Sequence, residues 1–381
     1  MRIVLHKEIP DDPLLLQRWN GLVQKMERPE VFYTCQWALA VQAAYGSSLQ
    51  PLLFLAYDGD DLAGIASLAT DAAGQVKFLA ATTADYCEFL SDPRRRTEFV
   101  DLVFAELRRM NVNDLALANL PADSATLGGL RAAARKHGFY VYARPAYLCG
   151  QIDLPRGQAR QEMKTALQNK KKLRYHLRAL EREGAVTFAH LDSWERIREE
   201  LPKFADAHVA RFKAMHRASS LETPQRRRFV EELARRFSGT DVVTLSLMMV
   251  GGRPVAWNYG FKFCGSWFWY QPTFDSRYEE NSPGHCLLSK IVIEACGIDE
   301  MKVVDLGLGA EGYKERFANG NRQTLYALTT RSWRRHLQGI ARHRTVSVIR
   351  RAPKIEGFLR LVLGRPSTGD PSRREVKKHL D

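Results

Sequence analysis

The sequence predicts an α/β protein in which mixed, mostly antiparallel sheets are flanked by helices and one plan is used twice. Short β-rich runs alternate with amphipathic helical segments through residues 1–330. Each half follows the same order of helices, antiparallel meander, helix and strand, without clear identity between the halves. The length of 381 residues, 45% of them hydrophobic and 26% charged, suits about two or three globular domains and excludes a wholly disordered chain.

The first half, residues 1–155, begins with a helix over 31–45, where apolar residues recur at helical spacing. A β-rich run at 51–57 ends at the turn Asp58-Gly59, and 62–70 predicts the returning strand of a hairpin. The remaining elements predicted are a strand at 76–79, a helix at 97–110, a strand at 114–119 and a helix at 124–137 closed by Gly138.

Residues 156–182 are strongly basic, with nine Lys or Arg and two Glu, and contain no Gly or Pro after Gly157. This pattern predicts one long basic helix between the halves. It serves either as a solvated connector or as a surface for an anionic partner.

The second half, residues 183–330, repeats the plan of the first. Thr223 and Pro224 have the residue types of a helix N-cap and first helical position. The predicted elements are a strand at 186–189, helices at 193–213 and 223–237, strands at 242–250, 254–263 and 266–273, a helix at 285–296, a strand at 302–307, a short helix at 312–317 and a strand at 324–330.

The formal net charge of +14 is unevenly distributed. Residues 1–155 carry −3 and residues 183–330 carry 0, whereas 156–182 carry +7 and the tail 331–381 carries +10. The basic helix and tail are therefore the places to meet an anionic donor, acceptor or membrane. The tail interleaves arginines with apolar residues, which is typical either of a peripheral membrane segment or of a disordered basic tail.

Several features indicate a cytoplasmic protein. The longest apolar run, 242–250, has nine residues and is too short to span a bilayer. The start, MRIVLHKEIPDD, lacks an apolar signal core. The six cysteines form no C-x-x-C pair, which predicts buried thiols and no structural zinc or other metal. A hydrolase triad, Walker A motif, dinucleotide fingerprint and H-E-x-x-H motif are not recognisable.

The most informative motif follows the meander, where Ser282, Pro283, Gly284 and His285 open a helix. The first N–H groups of a helix lack intrahelical partners and carry the positive end of its dipole, so they bind phosphate or carboxylate. Pro283 has no N–H to lose, and Gly284 allows close approach to the backbone. The alternative is an ordinary helix start.

The ordered set of segments resembles GNAT-fold acyltransferases of the CelD/BcsL type, linked to cellulose and exopolysaccharide synthesis. The resemblance covers roughly residues 30–330. It is carried by Ala84–Leu90 (ADYCEFL), Asn169–Gly184, His208–Phe212 (HVARF), Arg253–Asn258 (RPVAWN), the Tyr270, Phe274, Asp275 and Tyr278 region, Ser282-Pro-Gly, and Asp305–Lys314 (DLGLGAEGYK).

The resemblance implies a tandem GNAT-like fold, similar in plan to Fem-type aminoacyl-tRNA-dependent transferases. In GNAT enzymes a turn at the place of Ser282–His285 binds the pyrophosphate of acyl-CoA. Here Glu279 and Glu280 precede the turn where a basic residue would assist, so an acyl carrier protein or aminoacyl-tRNA remains open as donor. The resemblance also implies that Lys314 serves substrate phosphate or transition-state charge, with Tyr313 beside it. We expect the active site in the second half and a degenerate, mainly structural first half.

Other candidate residues each have a structural alternative. Asp275, after the last strand of the meander with Tyr270, could act as a base or cap a turn. His208 and Arg211, three residues apart on a helix, could bind an acceptor or be an ordinary surface pair. Trp257, Trp267 and Trp269 could stack on a sugar or fill the core.

The sequence therefore favours an N- or O-acyltransferase that moves an acetyl or longer acyl group from acyl-CoA or an acyl carrier to a small-molecule, sugar, lipid or cell-envelope acceptor. A Fem-like aminoacyl transferase that binds tRNA is the first alternative. A non-catalytic nucleic-acid- or membrane-binding protein is the second, although only Tyr175 interleaves an aromatic ring with the charge of the basic helix.

Overall fold

One continuous sheet carries both halves of the chain. The computed structural model describes residues 1–309 and 312–351. Within them the strands are β1 Arg2–His6, β2 Leu49–Asp58, β3 Asp61–Asp71, β4 Val76–Phe78, β5 Leu90–Ser91, β6 Asp114–Pro121, β7 Tyr140–Asp153, β8 Val186–Leu191, β9 Val243–Val250, β10 Arg253–Phe263, β11 Ser266–Phe274, β12 Val303–Asp305 and β13 Gly320–Thr330.

Eleven α-helices in the same described residues flank the sheet. They are α1 Pro13–Gln24, α2 Cys35–Tyr45, α3 Arg96–Arg109, α4 Thr126–Lys136, α5 Gln158–Gln168, α6 Lys171–Glu181, α7 Trp194–Ala214, α8 Pro224–Arg236, α9 Pro283–Ala295, α10 Gly312–Glu315 and α11 Trp333–Arg351. The predicted α/β class with a mixed, mostly antiparallel sheet is confirmed.

The two halves exchange strands at the centre of the sheet. The strand order is β1-β2-β3-β4-β6-β13-β7-β12-β11-β10-β9-β8, with β5 paired to β3. The last strand, β13, thus lies between β6 and β7 of the first half. The far end of β7 pairs with β12 of the second half, through Gln151–Asp305, Ile152–Val304 and Asp153–Val303.

Each half contains one short parallel pair within an otherwise antiparallel set. In the first half β4 runs parallel to β6, and in the second half β11 runs parallel to β12. This correspondence supports the repeated plan predicted from the order of elements. The position of β13 means that the boundary near residue 183 separates sequence segments but not separate sheets.

Aromatic rings join the halves on one side of the sheet. Helix α2 packs against α8, and the Trp37 ring lies 5.3 Å from the Phe229 ring and 5.7 Å from the Tyr270 ring, centroid to centroid. Phe32 lies 5.2 Å from Phe268. Such edge-on contacts stabilise aromatic pairs beyond the area they bury, so the halves share one core.

The basic segment 156–182 forms two helices rather than the predicted single one. Helix α5 ends before Asn169, and Lys170 has an extended backbone (φ −60°, ψ 114°) before α6 begins. Buried Arg160 fixes α5 by donating to the carbonyls of Pro155, Ile298 and Met301. The break lets both helices pack on α9, a tertiary gain that overrides local helix propensity.

The beginning of the tail is also ordered as a helix. Helix α11 takes up 333–351 and packs against β13 and β7, so a disordered tail is wrong for this part. The rest of the predicted tail, 352–381, lies outside the described residues. Within the described part of the chain, no helix has the length and apolar character needed to cross a membrane.

A buried ion pair ties the exchanged strand to the first half. Arg322 on β13 pairs with Glu30, and their side chains are 6% and 5% exposed. The Arg322 guanidinium also lies 4.3 Å from the centre of the Tyr86 ring. A buried charge without its partner is strongly destabilising, because desolvation is no longer offset.

We expect Arg322→Met to lower the free energy of unfolding by about 3 kcal/mol, because it leaves the Glu30 carboxyl buried without its partner. The double variant Glu30→Gln/Arg322→Met should recover at least half of this loss. Urea denaturation measures both. Arg109→Met, which removes an exposed pair with Glu106, is the control and should change stability very little. A loss as small as that of the control would show that the pair does not hold β13.

Candidate functional site

In the second half, the pairing between two parallel strands stops early. Strands β11 and β12 pair only through Ser266–Val303, Trp267–Val304 and Phe268–Asp305. β12 then ends, whereas β11 continues to Phe274. Beyond Phe268, β11 therefore has no partner in β12, and the segment after Asp305 lies beside it, with 3.7 Å between a Cβ built on Gly307 and the Trp269 carbonyl oxygen. We call this place, between the end of β12 and residues 269–274 of β11, the gap.

Asp305 organises the closed end of this gap. Its Oδ2 accepts hydrogen bonds from the Tyr86 hydroxyl at 2.8 Å and from Gln151 Nε2 at 2.7 Å. Its Oδ1 accepts from the backbone N–H of Gly307 at 2.8 Å. These donors come from the segment between β4 and β5, from β7 and from the turn after β12, so one buried carboxylate joins three segments.

Asp85, from the first half, reaches the same place. A Cβ built on Gly307 would lie 2.6 Å from Asp85 Oδ2, so only glycine allows this approach, and Gly307 also has φ +69°. Burial, and secondly the nearby Asp305 carboxylate, raise the pKa of Asp85 to about 7, while Lys314 opposes that rise. The site thus holds a carboxyl that titrates near neutral pH.

Lys314 and Tyr313 also line the gap, on α10. Lys314 is buried, and its Nζ donates to the Leu308 carbonyl at 2.7 Å. The Tyr313 hydroxyl accepts from Trp269 Nε1 at 3.1 Å. The structure therefore brings the predicted Lys314, Tyr313 and Trp269 together with Asp85.

The predicted helix start lies at the N-terminus of α9. Ser282 has a left-handed backbone (φ 48°, ψ 53°), Pro283 is the first helical residue, and Gly284 faces Phe274, with 3.2 Å between an added Cβ and that ring. His285 Nε2 is buried without a hydrogen-bond partner. Burial and nearby cations lower the pKa of His285 to about 4, so this imidazole is neutral at pH 7.

Three cations that the sequence analysis did not assign to this helix start act on His285. Lys170, Lys172 and Arg316 each lower the pKa of His285 and so lie close to it. The His176 ring lies 6.5 Å from that of His285, and both of its nitrogens are buried without partners. Glu279 and Glu280, by contrast, are exposed. The break between α5 and α6 supplies the positive charge that the turn itself lacks.

Tyr270 and Asp275 have structural partners. The Tyr270 hydroxyl donates to the Thr83 carbonyl and accepts from Arg226 Nη2 at 2.7 Å, and burial raises its pKa. Asp275 accepts from the Arg277 backbone N–H and pairs with its guanidinium at 2.5 Å, which lowers the pKa of the carboxyl. Asp275 therefore caps a turn, the second of its two predicted roles.

The predicted acceptor residues are more buried than expected. His208 is 4% exposed, and its Nδ1 lies 2.8 Å from Ser219 Oγ. Burial, followed by Arg211 and Arg226, lowers its pKa to about 4. The Arg211 guanidinium lies 4.1 Å from the centre of the Phe274 ring. His208 and Arg211 are thus not an ordinary surface pair, and Arg211 stands beside the ring that faces Gly284.

Trp257 and Trp269, two of the tryptophans for which stacking on a sugar or filling the core was predicted, are both buried. Trp257 is 4% exposed and Trp269 is 3% exposed, so neither presents a face to a ligand. Trp257 Nε1 donates to Glu200 at 3.0 Å, and Trp267 is also buried. Alternation along β10 and β11 directs these rings into the core, which was the alternative interpretation.

Sequence reasoning missed Asp85, Tyr86, Gln151 and Asp305 as site residues. Two of the motifs that carried the family resemblance, ADYCEFL and DLGLGAEGYK, meet here through Tyr86–Asp305 and Asp85–Gly307. Buried acidic residues within such motifs are the signal that could have identified the pair.

Comparisons with known proteins agree with this geometry. Residues 168–315 match the family described as Acetyltransferase (GNAT) domain. The chain carries a GNAT acetyltransferase domain. This domain contains β11, α9, β12 and Lys314, and it makes the chain a transferase. A specific CelD/BcsL membership is not confirmed.

Solved structures share the fold at low sequence identity. FemX has a TM-score of 0.58 and 9% identity over 86% of this chain and 97% of its own. L-PGS from Bacillus licheniformis has a TM-score of 0.53 and 13% identity over 86% and 94%. The C-terminal domain of a putative lysylphosphatidylglycerol synthetase from Agrobacterium fabrum has 0.51 and 10% over 86% and 94%. No curated protein sequence matches the chain.

The residues that the structure describes contain no group of His, Cys, Asp and Glu side chains arranged to hold a metal ion.

The raised pKa of Asp85 predicts a pH-dependent stability. The folded state keeps a proton that the unfolded state has lost, so this contribution is present at low pH and disappears as pH rises through about 7. We expect wild type to lose about 1 kcal/mol more than Asp85→Asn between about pH 6.5 and pH 8. Urea denaturation across this range measures the difference.

Measurements above about pH 6.5 avoid the pH range in which His208 and His285 change the free energy of unfolding. That range lies lower because the pKa values of both residues are lowered to about 4. Asp71→Asn is the control, because the Lys77 partner holds the pKa of Asp71 below its usual value. That variant should keep the wild-type slope. Parallel pH profiles for wild type and Asp85→Asn would show that Asp85 does not titrate in this range.

Proposed function

We propose that this protein transfers an acyl group from a phosphate-bearing thioester donor to an amine or hydroxyl. The observation that supports this most is the gap between β11 and β12, which holds Asp85 and Lys314. At the neighbouring start of α9, Lys170, Lys172 and Arg316 lower the pKa of His285, whose Nε2 is buried without a partner. A helix N-terminus with added cations suits a pyrophosphate or phosphate group.

The residues present fit acyl-CoA. His285 Nε2 and both nitrogens of His176 are buried polar atoms without partners beside the helix start. Acyl-CoA would supply an activated thioester, and this chain would bind its phosphates through α9 and the beginning of α6.

We assign proton transfer to Asp85. A carboxyl with a pKa near 7 is partly ionised at neutral pH, which suits a general base. The acceptor amine or hydroxyl attacks the acyl carbonyl, its proton passes to the Asp85 carboxylate, and the thiolate leaves. Lys314 provides the positive charge that stabilises anionic character beside Asp85.

The acceptor that we propose is a sugar, lipid or cell-envelope precursor, in keeping with the resemblance to CelD/BcsL-type enzymes. We propose a cytoplasmic location on the basis of cysteine usage, since all six cysteines are free thiols and five are buried.

An aminoacyl-tRNA or acyl-carrier donor is the second candidate. Its support is the surface of α6, where Tyr175 is 69% exposed among Lys171, Arg174 and Arg178. An exposed ring among cations can stack on a nucleotide base while the cations contact phosphate.

A donor panel tests the function. Purified protein is screened by thermal shift and acyl-transfer assay with acetyl-CoA, long-chain acyl-CoA, acyl carrier protein and aminoacyl-tRNA. At least one should raise Tm and support turnover, and Asp85→Asn should lower kcat about a hundredfold while leaving donor affinity unchanged. Folded protein that responds to none of the four donors would contradict the proposal.

The cations around α9 give a separate prediction. The triple variant Lys170→Gln/Lys172→Gln/Arg316→Gln should bind CoA about tenfold more weakly, because charge-assisted contacts to phosphate are lost. Calorimetry with CoA, dephospho-CoA and pantetheine shows which phosphate is bound. Arg108→Gln/Arg109→Gln/Lys136→Gln, with the same change in charge on exposed residues of the first half, is the control. Equal affinities for CoA in the two triple variants would place the phosphates elsewhere.

A further inference from the structure

The solvent side of α11 exposes apolar side chains that the core does not use. Trp333 is 56% exposed and Leu337 is 51% exposed, and their spacing of four residues puts them on one side of the helix. Ala341, one turn further, is also exposed. The opposite side packs on the sheet, because a Cβ built on Gly339 would lie 3.1 Å from Leu328 and 3.9 Å from Tyr142.

A neighbouring strand adds a third large apolar side chain. Tyr140, at the start of β7, is 46% exposed, and its ring lies 5.4 Å from the His336 ring on α11. Two aromatic rings and a leucine are thus exposed beside one another. Tryptophan and tyrosine prefer the interface between water and lipid, where the ring is buried and its polar group stays hydrated.

The same segment carries a high positive charge without compensating acidic residues. Residues 331–353 contain seven arginines and no aspartate or glutamate. Arg334 and Arg342 are exposed, and Arg335 is also exposed while paired with Asp114 of β6. Arginines beside exposed apolar residues are complementary to anionic headgroups above an apolar layer.

We propose that the outward face of α11, with Tyr140, binds the surface of a membrane that contains anionic lipids. Trp333 and Leu337 enter the interface, and Arg334 and Arg342 contact headgroup phosphates. A second copy of the chain is a poorer occupant, because a two-fold contact would place arginines against arginines. The proposal is independent of the acyl-transfer chemistry, which depends on the gap beside β12.

Vesicle co-sedimentation of the full chain tests this proposal. We expect binding to vesicles of phosphatidylglycerol and phosphatidylcholine, and much weaker binding to phosphatidylcholine alone. Trp333→Ser/Leu337→Ser should lower the partition coefficient about tenfold. Arg334→Gln/Arg342→Gln should lower it by roughly fivefold or more and reduce its dependence on salt.

Leu14→Ser/Met215→Ser is the matched control, because both residues are exposed, at 54% and 39%, but lie on α1 and directly after α7. This variant should bind vesicles like wild type. Quenching of wild-type tryptophan fluorescence by brominated phosphatidylglycerol, compared with Trp333→Phe, locates the contact without depending on the double variants. Quenching should be strong in wild type and largely lost in Trp333→Phe.

Any of three results would overturn the proposal. The first is equal binding of wild type and Trp333→Ser/Leu337→Ser, with equal quenching of wild type and Trp333→Phe. The second is light scattering that shows a wild-type dimer and a monomeric double variant, because the face would then be a contact between copies. Binding of the full chain to RNA but not to vesicles would equally contradict a membrane partner.

Discussion

The need to satisfy one buried carboxylate, Asp305, determines how the site is assembled. A carboxylate removed from water is stable only when hydrogen-bond donors replace the lost solvent. Asp305 accepts hydrogen bonds from Tyr86, Gln151 and the Gly307 N–H, which lie in three segments distant from one another in sequence. Fixing these donors positions the loop that carries Asp85 against the turn after β12, so the chemistry of the gap depends on this aspartate.

The two halves treat their short parallel pairs differently. In the second half the separation of β11 from β12 leaves a gap, whereas in the first half the chain after β4 folds back beside β6. Asn119 of β6 donates to the Ala84 carbonyl, and the Cys87 N–H donates to the Asn119 carbonyl. The same stretch then sends Asp85 and Tyr86 to Asp305. The first half thus contributes side chains to the candidate site of the second.

Local patterns in the sequence predicted the elements whose formation depends on residues close together in the chain. The meander, the helix after Ser282 and the Thr223 cap follow from spacing, turn residues and capping chemistry, and the structure has them within a few residues. The strands that pair with β7 and β13 are distant from them in sequence, so no local pattern could predict this pairing. Likewise, the pKa of Asp85 is raised only because the folded chain buries this residue and places Asp305 beside it. The break at Lys170 reflects packing of α5 and α6 on α9 rather than helix propensity.

The position of β13 has a consequence for how the protein is made. During synthesis the first half emerges complete in sequence, yet its central strands β6 and β7 cannot both be satisfied until residues 320–330 arrive. Until then an unpaired strand edge and an uncovered apolar face remain exposed on the nascent chain. The sheet closes by a contact between segments about two hundred residues apart, so its central part is completed only after residues 320–330 have been synthesised. A fragment that ends before residue 320 would keep this strand edge open, and open edges of this kind favour aggregation.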